Sequence, residues 1–188
     1  MLVNFKVLKE MITSFCKCPS CGDAVNMHNV ADSRMGFANK LEVTCSSCCW
    51  KQQSFMSKEC SQEGRTTRSP FEVNVRAVTA FREIGKGHSG IENFCRCMNM
   101  NGISQTAYRK LNLKLADAYE AAAEASMQFA AAEIRMLGEE QIQGNTLCQC
   151  SFDGSWQKRG HSSLNGLVTA ISNDKCIDAK VYSKKCKA

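Results

Sequence analysis

The chain has 188 residues, 22% of them charged and 44% hydrophobic, and its 24 basic and 18 acidic side chains leave a formal net charge of +6. That length allows one generous domain or two small ones with real cores, and the mild positive balance suits a polyanionic partner without demanding one. No segment is fit to span a membrane, because the longest low-charge run, Ala121 to Ile134, is short and broken by Glu124 and Glu133.

The N-terminal stretch MLVNFKVLKEMITSF carries Lys6, Lys9 and Glu10 inside its apolar run and has no small-residue cleavage site. It does not read as a secretory signal, and an intracellular, reducing home is expected. Thirteen cysteines, an odd number, then argue against a secreted disulfide framework. At short spacing in a reducing compartment, paired cysteines point to metal instead.

Residues 13 to 60 are rich in Cys, Ser and Gly and hold two knuckle-like turns, CPSCG at Cys18 to Gly22 and CSSCCW at Cys45 to Trp50. Between them Phe37, Leu41 and Val43 alternate with polar neighbours, as in a short strand leading into the second knuckle. Cys18-x2-Cys21, 23 intervening residues and Cys45-x2-Cys48 make the spacing of a zinc ribbon. Each tight turn aims two thiolates the same way, and two such turns complete a tetrahedral Zn2+ site. The competing readings are a pair of disulfides or unligated buried thiols, and Cys16 and Cys49 flank the pairs closely enough to replace a ligand. With no other large core nearby, metal would supply most of this unit's stability.

SQEGRTTRSP, ending at Pro70, reads as a polar linker. From Phe71 to Ile84, the spacing of Val75, Val78, Phe81 and Ile84 predicts a helix stopped by Gly85 and Gly87. Ser89 and Glu92 form a capping-box pattern for a second short helix with Ile91, Phe94 and Met98, broken by NMNG at Asn99 to Gly102. Ser104 can cap a third, longer helix closed by Gly138. Along it Leu111, Leu115, Ala118, Ala122, Ala125, Phe129, Ala132 and Met136 alternate four-and-three spacing. A core-packing helix or the seam of a homo-oligomer explains that stripe more simply than a cofactor-binding helix.

After Gly144 the period becomes two. Leu147 to Phe152, Leu164 to Ile171 and Cys176 to Tyr182 read as three strands of an antiparallel meander, the last alternating Ile177, Ala179 and Val181, with a tight turn at Ser172 to Lys175. Cys95 and Cys97 fall on different helix faces, Cys148 and Cys150 on one strand face, and Cys176 and Cys186 near the chain end. All six are read as free thiols. The expected divisions are 1–62 for the cysteine unit, 63–143 for a helical region and 144–188 for the meander, giving an α+β fold.

Asp153 would end the first strand, with Gly154 turning into a hairpin that carries Trp156, Lys158, Arg159 and His161. On spacing alone Asp-Gly is a turn pair and the cations a solvated hairpin tip. The sharper reading is a metal-binding carboxylate of polynucleotidyl transfer, beside groups that contact phosphates. One aspartate cannot do that chemistry, which needs several carboxylates around two divalent ions.

SFDGSWQKRGHSSLNGLVTAIS, followed by DAKVYSKKC, resembles the start of the catalytic domain of Mutator-like transposases. Asp153, Gly154, Trp156, Gln157, Lys158, Arg159, Gly160 and His161 fit that family's signature, and Ser155 stands where threonine is usual. The cysteine knuckles, VNVRAVTAFREIGKGHSGIENFC and the alanine-rich helix extend the similarity over most of the chain. The resemblance implies a ribonuclease-H-like domain in which Asp153 is the first of three acids holding Mg2+ or Mn2+. It further implies DNA as partner, with Lys158, Arg159 and His161 facing its backbone, DNA cleavage and strand transfer as ancestral chemistry, and a nuclear location. The family's second and third acids lie on a later strand and helix. Asp178 sits at a recurring family position without an assigned role, and a truncated, inactive copy is the expectation. The alternative is a non-enzymatic, zinc-dependent module that binds DNA or protein.

Overall fold

The computed structural model describes residues 4–30, 35–60, 69–137, 141–142, 145–146, 148–157 and 163–184. Its elements are α1 (Phe5–Phe15), β1 (Val25–Asn29), β2 (Lys40–Cys45), β3 (Lys51–Phe55), α2 (Glu72–Glu83), α3 (His88–Cys97), α4 (Gln105–Leu137), β4 (Gln141–Ile142), β5 (Asn145–Thr146), β6 (Ser151–Trp156), β7 (Asn165–Ser172) and β8 (Lys175–Ser183). By contacts the chain divides into two compact units, Met1–Leu115 and Ala116–Ala188. Gly138 and Cys186 lie outside the described residues, and no described helix is long and apolar enough to cross a membrane.

In the first unit, β1, β2 and β3 form an antiparallel sheet in that order. Val25 pairs with Cys45 and Lys40 with Phe55, so both ends of β2 are fixed by neighbours. Only β2 stands out in the sequence. β1 is short, β3 reads KQQSF with four of its five residues exposed, and both are strands because they pair with β2. α1 was likewise unanticipated. Asn4 caps it by accepting from the Lys6 amide at 2.9 Å, and Leu8 and Ile12 are half-buried while Val7, Met11 and Phe15 stay exposed.

The stretch read as a linker returns to where it left. The Cys60 amide donates to the Pro70 carbonyl at 2.9 Å and the Glu72 amide to the Lys58 carbonyl at 2.8 Å, while Phe55 and Phe71 pack with ring centroids 4.6 Å apart. α2 therefore starts against the end of the sheet. It buries Val78 and, less predictably, Asn74. The Asn74 side chain accepts from the Phe37 amide at 2.8 Å and donates to the Met35 carbonyl at 2.7 Å, clamping a turn in which Gly36 has φ +69°. A Cβ on Gly36 would lie 2.6 Å from Asn74 Oδ1, so glycine is needed there for both conformation and space.

Val78, Ile91, Cys95, Ile103 and Leu111 form the buried core between α2, α3 and the start of α4, with Val75, Phe81 and Leu115 against it. Burial of each large aliphatic contributes about 1.5–3 kcal/mol. Ile84, the last member of the expected stripe, caps α2 and is exposed, and Gly85 turns the chain at φ +69°. The Ser89–Glu92 capping box does not form. The cap falls two residues earlier, at Gly87 and without a side-chain bond, so that α3 begins at His88. Glu92 instead faces His88 Nδ1 at 3.7 Å, and His88 Nε2 bonds the Ile103 carbonyl at 2.8 Å. Ser104 does cap α4, its Oγ accepting from the Ala107 amide at 3.3 Å.

In the second unit the expected α4 stripe is not the packed one. Ala118, Ala122, Ala125, Phe129, Ala132 and Met136 are exposed, whereas Ala130 and Ile134 are buried and Glu133 pairs with Lys175. Burial follows where neighbours are present, not the evenness of the heptad spacing. β6, β7 and β8 form the expected antiparallel meander in that order. Its second turn is Asn173–Asp174, both with positive φ (46° and 59°), the two-residue turn that matches strand twist. β6 is displaced from the expected strand, starting at Ser151 and running through Asp153 and Gly154 to Trp156.

Removing the Asn74 amide leaves the Phe37 N–H and Met35 carbonyl without that partner. Asn74→Ala should cost the first unit about 1–3 kcal/mol in urea denaturation, while Asn93→Ala, at an exposed position of α3, should change it far less.

Candidate metal centre

The first knuckle lies between α1 and β1, and the second is the β2–β3 hairpin. In the first, the Cys18 amide bonds the Asp23 carbonyl at 2.8 Å and the Gly22 amide bonds the Cys18 carbonyl at 2.9 Å, with Gly22 at φ +78°. In the second, the Cys45 amide bonds the Trp50 carbonyl at 3.0 Å, and the Ser46 amide reaches across to the Ala24 carbonyl at 3.1 Å. That last bond, with the Val25–Cys45 pairing, holds the two turns side by side.

The sulfurs of Cys18, Cys21, Cys45 and Cys48 lie within 4.8 Å of one another. Cys18 Sγ is 3.6 Å from Cys48 Sγ, and Cys21 Sγ is 3.4 Å from Cys45 Sγ. Four thiolates around a tetrahedral zinc at about 2.3 Å stand about 3.8 Å apart, so this donor set fits that ion. Two backbone amides also point at sulfur, Ser20 at 3.4 Å from Cys18 Sγ and Ser47 at 3.3 Å from Cys45 Sγ. Such donors stabilise thiolate charge. They were legible in principle, since a Cys-x2-Cys turn offers the amide two residues on.

Cys45, Cys21 and Cys48 do not titrate alike. The Ser47 amide draws the Cys45 thiol down to about 6. Cys21 receives the Asp23 backbone yet is pushed up to about 12, chiefly by Cys45 alongside it. Cys48, despite the Trp50 backbone, is raised by burial and by Cys45. Four thiolates repel one another unless a cation shares their charge. Bound zinc would supply four bonds tying the two turns together. Cys16 and Cys49, the other candidate ligands, are exposed and outside the cluster. Among the described residues these four cysteines are the only group of three or more His, Cys, Asp or Glu side chains that converge closely enough to hold an ion.

Asp153 lies within β6, not at its end, opposite Thr169 of β7, which is opposite Ala179 of β8. Its Asp-Gly pair is not a turn, because Gly154 is in the ladder opposite Val168. The side chain is exposed, and the Thr169 hydroxyl donates to the Asp153 carbonyl at 3.4 Å. Asp178 lies in the next row, opposite Ala170, which faces Phe152. Directly opposed residues share a sheet face and successive ones alternate. Asp178 and Asp153 are therefore on opposite faces and cannot share a cation. Ile177 is the extra residue of a bulge, since Cys176 and Asp178 oppose the consecutive residues Ile171 and Ala170. Lys158, Arg159 and His161 lie outside the described residues. Cys148 and Cys150 precede β6 with their sulfurs 3.4 Å apart.

A family model described as Mutator-like transposase matches residues 1–188. No curated protein and no solved structure matches the chain.

The purified chain should carry one zinc by elemental analysis. Cys18→Ser or Cys45→Ser should abolish that stoichiometry, and Cys16→Ser or Cys49→Ser should preserve it. Metal retained in the first pair, or lost equally in all four, would contradict this assignment of ligands.

Proposed function

The chain belongs to the Mutator-like transposase family, and from that premise we propose that it is a nuclear DNA-binding protein of transposition. Its N-terminal ribbon is held by structural zinc, and its meander opens a ribonuclease-H-like domain. Asp153 is one carboxylate of a Mg2+ or Mn2+ site, and Lys158, Arg159 and His161 contact the DNA backbone next to it. The family match, the four-sulfur geometry and the strand order β6-β7-β8 support this reading.

The observation that carries this reading for residues 1–188 is that Asp153 and Asp178 are on opposite faces. Two-metal strand cleavage needs several acids converging on the ions, which activate the attacking oxygen and stabilise the leaving one. A lone exposed carboxylate holds such ions weakly. On this reading these residues bind DNA without cutting it, and the same observation favours a zinc-dependent binding module within a transposase family.

Binding to duplex DNA should weaken steeply with salt. Replacing both Lys158 and Arg159 by alanine should reduce the slope of log K against log salt by about two. With Mg2+ or Mn2+ present, neither the chain nor its Asp153→Ala variant should cleave DNA. Metal-dependent cleavage lost in that variant would refute the binding-only role, and salt-independent binding would refute the phosphate contacts.

A further inference from the structure

Outside the four-sulfur cluster, the chain brings a second pair of cysteines within reach of each other. NTLCQCSFDG places Cys148 and Cys150 two residues apart, the spacing at which extended backbone turns both side chains to one side. They lie just before β6 with their Sγ atoms 3.4 Å apart, and the Cys150 thiol also donates to the Cys148 carbonyl at 3.9 Å. Among the described residues no third His, Cys, Asp or Glu side chain converges on this pair. Two thiols alone fall short of the four ligands of a structural zinc. The chemistry left to them is with each other.

The two sulfurs are not equivalent. Cys148 is exposed and Cys150 is half-buried. Cys150 adjoins Ser151, which pairs with Ile171 and whose hydroxyl donates to the Ile171 carbonyl at 3.5 Å. The ladder therefore steadies Cys150, while Cys148 stands outside it. The hydrogen bond with Cys148, and after it desolvation, raises the Cys150 thiol above its ordinary value. A half-covered thiol that keeps its proton is the slower attacker, so a reagent in solution meets Cys148 first. Closing a disulfide takes the sulfurs from 3.4 Å to about 2.05 Å. Rotation of the exposed Cys148 side chain achieves that without breaking a ladder pair, because pairing begins at Ser151.

We propose that Cys148 and Cys150 are a redox-modified dithiol, closed to an intrachain disulfide by a low-molecular-weight disulfide such as oxidised glutathione. The proposal is independent of the DNA-binding reading. The Cys148 thiolate attacks one sulfur of oxidised glutathione, which breaks the glutathione S–S bond, forms a mixed disulfide and expels one glutathione thiolate. Cys150 gives its proton to solvent, and its thiolate attacks Cys148 Sγ. The Cys148–Cys150 bond forms as the second glutathione thiolate leaves. Two protein thiols are oxidised, one glutathione disulfide is reduced to two thiols, and the two protons end on glutathione. The bridge fixes the chain path three residues ahead of Asp153.

The test uses the full chain with zinc present, because trypsin releases a peptide from Met136 to Lys158 that contains these two cysteines and no other. After equilibration in glutathione buffers, acid quenching and alkylation, mass spectrometry of that peptide reads the state of the pair. In oxidising buffers it should be unalkylated and two hydrogens lighter than the dithiol. Diluting both forms of glutathione tenfold at constant ratio should raise the oxidised-to-reduced ratio about tenfold, since each bridge releases two glutathione thiols. Cys150→Ser should stop at the first step and accumulate the glutathione adduct on Cys148. Cys148→Ser should form its adduct several-fold more slowly. A peptide that stays a dithiol throughout, adducts that form equally fast on both variants, or an oxidised share that ignores dilution would overturn the proposal. A second zinc per chain, lost in Cys148→Ser, would overturn it in favour of a metal site.

Discussion

The first unit depends on four sulfur atoms meeting at one point. Around β1, β2 and β3 the buried apolar residues are few (Val25, Met27 and Ala38 besides Cys18 itself), and β3 adds almost nothing to burial. A sheet this thin gains little from the hydrophobic effect. The knuckles precede β1 and connect β2 to β3, so a cation bound by all four thiolates fixes both connections at once. Metal binding and ribbon folding are then one equilibrium.

What the ribbon organises is passed on by backbone contacts. The turn at Gly36 is clasped by Asn74 of α2, and the chain beyond β3 bonds back onto the segment entering that helix. Phe71 packs on Phe55 at this junction, and about two helical turns later Val78 enters the core of α2, α3 and α4. Local damage to the ribbon should therefore reach a helical core that has its own apolar contacts.

The second unit has the opposite character. Its meander is well paired along its length, yet both faces are largely open. One face carries a single acid among hydroxyls and the other carries aromatic rings among lysines. An isolated carboxylate is a poor catalyst of phosphoryl transfer but a sufficient member of a larger acid set.

Much of this could be read from the sequence, and the misreadings have physical causes. The knuckles were legible because two turns of fixed geometry dictate their own spacing. α2, α3 and α4 were legible from helical periodicity and Ser104. The strands β1 and β3 were not, because pairing with β2 makes them strands while their own residues are short or polar. Asp153-Gly154 has the composition of a turn, but ladder pairing with Thr169 and Val168 keeps it in a strand, whereas the turn expected at Ser172 to Lys175 forms, with Asn173–Asp174 at its tip. The heptad stripe of α4 was visible, but only its first members, Leu111 and Leu115, are packed, because periodicity states what a helix could bury and only its neighbours decide what it does. The claim under all of this is that one ion joins the two knuckles. Zinc-edge X-ray absorption of the purified chain tests it most directly: the account predicts a single shell of four sulfurs at about 2.3 Å. A shell containing nitrogen or oxygen, or fewer than four sulfurs, would contradict it.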